Sequence, residues 1–121
     1  MNGRVIILLT IILTGCATPA DLRSNKPDLE LSSSKPSKNI AICISEAWSN
    51  TIPIMAMSSF PTNMQLRENG YSVSVVVTNM LGASWPVVIA DISDEQNGSL
   101  IRYFQKMPGY GSYKDAMTKC E

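Results

Sequence analysis

Three cysteines carry most of the chemical potential of this 121-residue chain, which contains no histidine. A cysteine can act as a nucleophile, a redox centre or a metal ligand, and each role needs particular neighbours. Catalysis would call for an activating histidine or a C-x-x-C pair, and Cys16, Cys43 and Cys120 are too widely spaced for such a pair. The sequence therefore predicts no cysteine catalysis, no zinc site and no other cofactor.

The remaining polar motifs also point away from an enzyme. Asp91, Asp94 and Glu95 cluster near a turn; paired carboxylates can hydrolyse glycosides, but exposed turn acids usually only solvate the chain. The loop Gly109-Tyr-Gly111-Ser112 could offer N–H groups to an anion, although a strand-to-helix turn is the simpler interpretation. Ten basic and ten acidic side chains leave no positive footprint for nucleic acid.

The N-terminal residues have the layout of an export signal. Arg4 and the amino terminus form a short positive region, and an apolar run follows from Val5 to Leu13. A transmembrane helix needs roughly 20 apolar residues, so this run is too short for a lasting anchor. We therefore expect residues 1–15 to direct export and to be removed.

Leu13-Thr14-Gly15-Cys16 resembles the lipobox of bacterial lipoproteins, in which an aliphatic and two small residues precede a modified cysteine. The resemblance implies that signal peptidase II cuts before Cys16, which then carries a diacylglyceryl thioether and an N-acyl chain such as palmitate. Such chains hold a protein firmly on a membrane. The absence of aspartate at Ala17 implies the inner leaflet of the outer membrane, facing the periplasm. The alternative is an ordinary secretory signal with a chance cysteine.

Residues 16–37 are expected to be the lipidated cysteine and a flexible tether. Proline, serine and charged residues dominate this segment, and no apolar period persists. As an extended chain the tether would span about 65 Å and hold the domain clear of the lipid headgroups. Residues 38–121 would then form a single small domain.

This domain is predicted to be α+β, with an antiparallel sheet of three or four strands and an N-terminal and a C-terminal helix packed on one face. Apolar residues recur at helical spacing from Lys38 to Ser49 and again after Ser112. Alternating apolar residues and Asn-Gly turns predict the strands between these helices. The strands are expected at residues 64–67, 71–78, 85–93 and 99–106, with an irregular edge strand near 54–58.

Cys43 and Cys120 lie on the apolar stripes of the two predicted helices, which should face the same sheet. Export would place both thiols in an oxidising compartment, and the lipobox resemblance assigns Cys16 to lipid. We therefore predict a Cys43–Cys120 disulfide that joins the two ends of the domain.

Two irregular apolar stretches are candidates for contact with a partner. The first contains Met55, Met57 and Phe60 between two prolines, and methionine packs adaptably on binding surfaces. The second contains Tyr110 and Tyr113 beside two glycines, a combination common in recognition loops. Core packing is the alternative role for both stretches.

The layout resembles that of small lipoproteins of Gram-negative bacteria and their prophages, and this likeness implies no further functional residue. The leading hypothesis is a non-enzymatic domain, anchored to the membrane by lipid, that binds an envelope protein partner. A structural protein linking membrane to cell wall is the second hypothesis. A small-ligand carrier or an enzyme is the third.

Overall fold

The computed structural model describes residues 19–53, 56, 58–106 and 109–121. Within these ranges the chain forms three helices and five strands, and the strands make one antiparallel sheet in the order β1-β5-β4-β3-β2. The fold is therefore α+β. None of the helices in these ranges is long and apolar enough to cross a membrane. The elements are α1 (Pro19–Arg23), β1 (Leu29–Ser33), α2 (Ser37–Ser49), β2 (Thr62–Arg67), β3 (Gly70–Thr78), β4 (Ser84–Glu95), β5 (Gly98–Gln105) and α3 (Gly111–Thr118).

Strands β2 to β5 form where alternating apolar residues and turn signals predict them. In β3, Val73 and Val75 are fully buried, and the alternating Ser72 and Ser74 face the other side of the sheet. Gly70 begins β3 with a φ of 147°, and a Cβ at this position would lie 1.9 Å from the backbone O of Ile92. Only glycine therefore lets β3 start this close to β4. The irregular strand expected near residues 54–58 lies largely outside the described residues.

The predicted flexible tether is wrong for most of its length. Its residues form α1 and β1, and β1 pairs with β5 to add a fifth strand to the sheet. Leu29 and Leu31 pack against the core from this strand. Just before it, the Asp28 N–H donates to the backbone O of Tyr103 over 2.8 Å. These long-range contacts order a segment whose own composition favours no structure.

Helices α2 and α3 pack against one face of the sheet around the fully buried Trp48. The indole Nε1 donates to the backbone O of Tyr113 over 2.8 Å. The Trp48 ring meets the rings of Tyr103 and Tyr113 edge-on, with centroids 6.2 and 5.8 Å away. Such edge-to-face contacts are favourable beyond the area that they bury. Trp48 thus joins α2 to both β5 and α3.

Helix α1 packs on the opposite face of the sheet. Its Leu22 contacts Ile89 and Phe104 in a small second cluster of buried side chains. The sequence prediction placed helices on one face only, because the turn of helix that carries Leu22 is too short to show an apolar period. The rest of this second face is polar, and it contains the most highly charged site of the described chain.

Candidate functional site

A row of polar side chains crosses the sheet on the face that α1 partly covers. Each of the five strands contributes one residue, since the register places them opposite one another in turn. The row consists of Glu30, Arg102, Asp91, Ser72 and Gln65. Apolar and polar residues alternate along β3 and β4 because one face of the sheet is apolar and the other is polar.

Asp91 lies at the centre of this row and is held by two arginines. Arg23 of α1 donates from Nε to Oδ2 over 2.7 Å and from an Nη to Oδ1 over 2.8 Å, which is a bidentate pair. The same Nη donates to the Ser72 hydroxyl over 2.9 Å. Arg67 at the end of β2 adds a third bond, from Nη1 to Oδ1 over 2.9 Å. The Asp91 carboxylate thus links α1 to the sheet.

The surroundings of Asp91 keep its side chain ionised. Burial alone would raise the pKa of this carboxyl, because only 15% of the side chain is exposed. The hydrogen bonds and charge of Arg23, the Ser72 hydroxyl and the charge of Arg67 together outweigh burial and lower the pKa below its usual 3.8. At neutral pH Asp91 is therefore an acceptor for arginine and holds no proton to donate.

An open cleft of about 280 Å³ lies beside Asp91, and Arg67 and Arg102 are among its lining residues. Arg67 is already paired with Asp91, and Arg102 is paired with Glu30 over 2.9 Å. The acid cluster suggested by the sequence is not assembled here, because the Asp94 carboxylate accepts a hydrogen bond from Ser37 of α2. The cleft is therefore a polar recess in which both arginines are already paired with carboxylates.

The Cys43–Cys120 disulfide is confirmed. The two Cα atoms lie 5.8 Å apart, and the bridge joins α2 to the end of α3. Lys35 reinforces this corner, since its Nζ donates to the backbone O of Cys120 over 3.3 Å and of Glu121 over 3.1 Å. The pair is therefore a structural disulfide that links α2 to the C-terminal end of the domain.

The predicted contact residue Tyr113 belongs to the buried core. Its side chain is fully buried, and its hydroxyl has no hydrogen-bond partner among the described residues. Burial, with a smaller effect of Tyr110, raises the pKa of Tyr113 to about 12. Tyr110 is partly buried and packs against Tyr113, with ring centroids 6.3 Å apart. The glycines beside these tyrosines belong to a loop and to the start of a helix. The sequence pattern therefore led to an overestimate of how exposed the tyrosines are.

The other predicted contact stretch is described only in part. Met55 and Met57 lie outside the described residues, as does Cys16 with the whole lipobox. Phe60 is partly buried and packs against the main core. Within the described ranges, this stretch therefore adds one side chain to the core.

Large apolar side chains are exposed at Ile42 and Ile52 and at two further places. On β2, Met64 and Leu66 are 44% and 77% exposed, and in the turn between β3 and β4, Met80 and Leu81 are 103% and 94% exposed. The exposure of the second pair could have been inferred from the sequence, because a Met-Leu dipeptide between Asn79 and Gly82 puts large apolar residues into a turn. Turns usually carry small or polar residues.

Strand β2 is also an open edge of the sheet. No strand of the described chain pairs with its outer side, and five of its six residues are exposed. The opposite edge, β1, carries Glu30 as its second residue, and a charge on an edge strand discourages pairing with a further strand. β2 has a single charged residue, Arg67, at its end. The two edges therefore differ in how well they are protected against a further strand.

Three comparisons with known proteins found no relative. No family model matches the chain, no curated protein matches it, and no solved structure resembles it. Among the described residues, no group of three or more metal-ligating side chains is placed to hold an ion.

Proposed function

We propose that the protein is a lipid-anchored, non-enzymatic component of the bacterial cell envelope that binds another envelope protein along β2. The anchor is proposed from the lipobox resemblance of Leu13-Thr14-Gly15-Cys16. The Cys43–Cys120 disulfide fits an oxidising compartment such as the periplasm. The domain would face the periplasm from the inner leaflet of the outer membrane.

The observation that carries partner binding is the open edge of β2. In antiparallel pairing, every second residue of an edge strand directs its N–H and C=O outward. A strand of a partner can pair with these groups, and neighbouring apolar side chains add contact area. Met64 and Leu66 supply such side chains, because both are exposed and both lie on this strand.

Site-specific crosslinking in living cells tests this proposal. A photoreactive phenylalanine analogue replaces Leu66 in β2, and the matched control places it at Lys38, which is exposed on α2. We expect one dominant protein adduct from position 66 and none from position 38. Leu66→Asp should weaken capture of that protein about tenfold or more, because a charge replaces an apolar contact at the edge.

The crosslinking result can also contradict the proposal. Identical adducts at positions 66 and 38 would mean random collision with abundant neighbours. No protein adduct, combined with co-sedimentation of the protein with purified peptidoglycan, would favour a structural link between membrane and wall. A Cys16→Ala variant serves as the mislocalised control and should lose the adduct.

A further inference from the structure

The turn between β3 and β4 exposes large apolar side chains to water, which is unusual for a turn. Met80 and Leu81 at its tip are almost completely exposed, so neither side chain rests on the domain. Residues 69–90, which include the whole turn, contain no charged side chain. An exposed apolar patch without nearby charge is typical of a surface that meets a nonpolar partner or a membrane.

Hydrogen bonds within the turn pair most of its backbone donors. The Asn79 N–H donates to the O of Ala83 over 2.9 Å, and the Gly82 N–H donates to the O of Asn79 over 3.1 Å. The Asn79 side-chain Oδ1 accepts from the N–H of Leu81 over 2.9 Å and from that of Ala83 over 3.0 Å. Backbone groups that enter lipid must be paired, because no water is present there. The four paired donors lower the cost of bringing this turn to the lipid surface.

Helix α1 begins at the same end of the molecule as this turn. Pro19 and Arg23 both line a cleft that extends along the sheet from Ser72 to Val76 and Pro86. Arg23 binds Ser72 and Asp91 at one end of this cleft, which places Pro19 towards the other end. Val76 and Pro86 are paired, and only two further pairs separate them from the turn. The chain therefore enters the domain from the side of the turn.

The proposed lipid attachment point must lie close to this end. Cys16 precedes Pro19 by three residues (19 − 16 = 3), and three residues span at most ~11 Å. Trp85, which packs against the core and is partly exposed, lies just inside the turn. Tryptophan is enriched where proteins meet lipid headgroups. The anchor, the aromatic side chain and the apolar tip thus share one end of the domain.

We propose that the β3–β4 turn inserts Met80 and Leu81 into the lipid surface beside the lipidated Cys16. This inference rests on the proposed function, because it requires the lipid anchor. Together with the lipid anchor, this inserted turn would fix the orientation of the domain relative to the membrane. Arg67 and the cleft beside Asp91 lie at the opposite end of the β2–β3 hairpin, so they face the periplasm.

Fluorescence quenching by brominated lipids measures which side chains enter the membrane. Lipidated full-chain protein is reconstituted into vesicles of phosphatidylethanolamine and phosphatidylglycerol, with phosphatidylcholine brominated high in its acyl chains as the quencher. Leu81→Trp and Met80→Trp probe the turn, and Leu66→Trp on β2 is the matched exposed control. Trp48 and Trp85 occur in all three variants, so their emission is subtracted with that of the parent protein.

Insertion of an apolar turn places its side chains ~5–10 Å into the headgroup and acyl boundary, so we expect the added emission at positions 80 and 81 to fall by about half. The added emission at position 66 should not change. Vesicle flotation of the same samples reports the anchor separately. Flotation without quenching at 80 and 81, or with equal quenching at 66, would overturn the insertion and leave the lipid anchor intact. Failure of the lipidated protein to float would overturn both proposals.

Discussion

Reduction of the Cys43–Cys120 disulfide is expected to lower the free energy of unfolding by about 4.5 kcal/mol. The bridge spans a sequence separation of 77 residues, and the unfolded chain gains the most entropy when a long loop opens. Domains of this size are stable by only ~5–15 kcal/mol, so the loss is a large share of the total. The reduced protein should unfold at body temperature or close to it.

Urea denaturation of the purified mature protein, with and without a reductant, measures this effect. With a slope of roughly 1–3 kcal/mol per molar urea, the midpoint should shift by about 1.5–4.5 M. The control is the double variant Cys43→Ala/Cys120→Ala, whose midpoint should be low and should not respond to reductant. Equal midpoints for the oxidised and reduced wild-type protein would show that the bridge contributes little.

Replacing Asp91 by alanine is expected to destabilise the domain by roughly 2–3 kcal/mol. Removing one partner of a fully buried ion pair costs ~3–5 kcal/mol, because the remaining charge is left uncompensated. Here the cost is smaller, since 28% of the Arg23 side chain reaches solvent. Loss of the carboxylate also releases α1 from the sheet, because the two bonds from Arg23 end on Asp91.

The control for this variant is Glu30→Ala, which removes an ion pair of similar length on the same face. Glu30 and Arg102 are 52% and 46% exposed, and such surface pairs contribute ~0–1 kcal/mol. Urea midpoints of the two variants should therefore differ clearly. If Asp91→Ala were no less stable than Glu30→Ala, the network around Asp91 would not be what holds α1.

The contribution of Asp91 to the free energy of unfolding is expected to decrease as the pH falls. Its pKa is lowered on folding, so its stabilising effect is complete above the ordinary value of 3.8 and is lost as pH falls through the folded value. The stability difference between wild-type protein and Asp91→Asn should accordingly be constant at neutral pH and shrink below about pH 4. A difference that persisted unchanged into strong acid would argue against an ionised Asp91 as its source.

Local sequence patterns were sufficient where an element buries one face along its whole length. The alternation of Val73 and Val75 with serines predicts β3, and Cys43 and Cys120 could be paired because each lies on an apolar helical stripe. The compartment implied by the lipobox resemblance supplied the remaining argument for the disulfide. In these places, spacing along the chain directly reflects which side chains meet the core.

Elements that depend on distant contacts were not predictable in this way. β1 is a strand because β5 offers it a free edge, and α1 is held by the bond between Arg23 and Asp91, 68 residues away. Neither segment has a sustained apolar period of its own. The exposure of Tyr113 was overestimated for a related reason, since the neighbouring glycines suggested a loop while Trp48 buried the ring from another part of the chain.

Order in residues 19–33 changes the expected position of the domain. A flexible tether would hold the domain far from the bilayer, whereas a folded segment beginning at Pro19 leaves two residues between Cys16 and the domain. With the proposed anchor at Cys16, the β3–β4 turn would come within reach of the lipid surface and the β2 edge would remain accessible to the proposed partner. Anchoring at Cys16 is therefore the claim on which orientation and partner binding both depend.

The intact mass of the protein purified from membranes tests this claim most directly. The account predicts a mature chain that begins at Cys16 and carries the added mass of a diacylglyceryl group and an N-acyl chain. Cys16→Ala should abolish this added mass and leave the signal segment attached. A mature chain that begins at another residue, or an unmodified Cys16, would contradict the account.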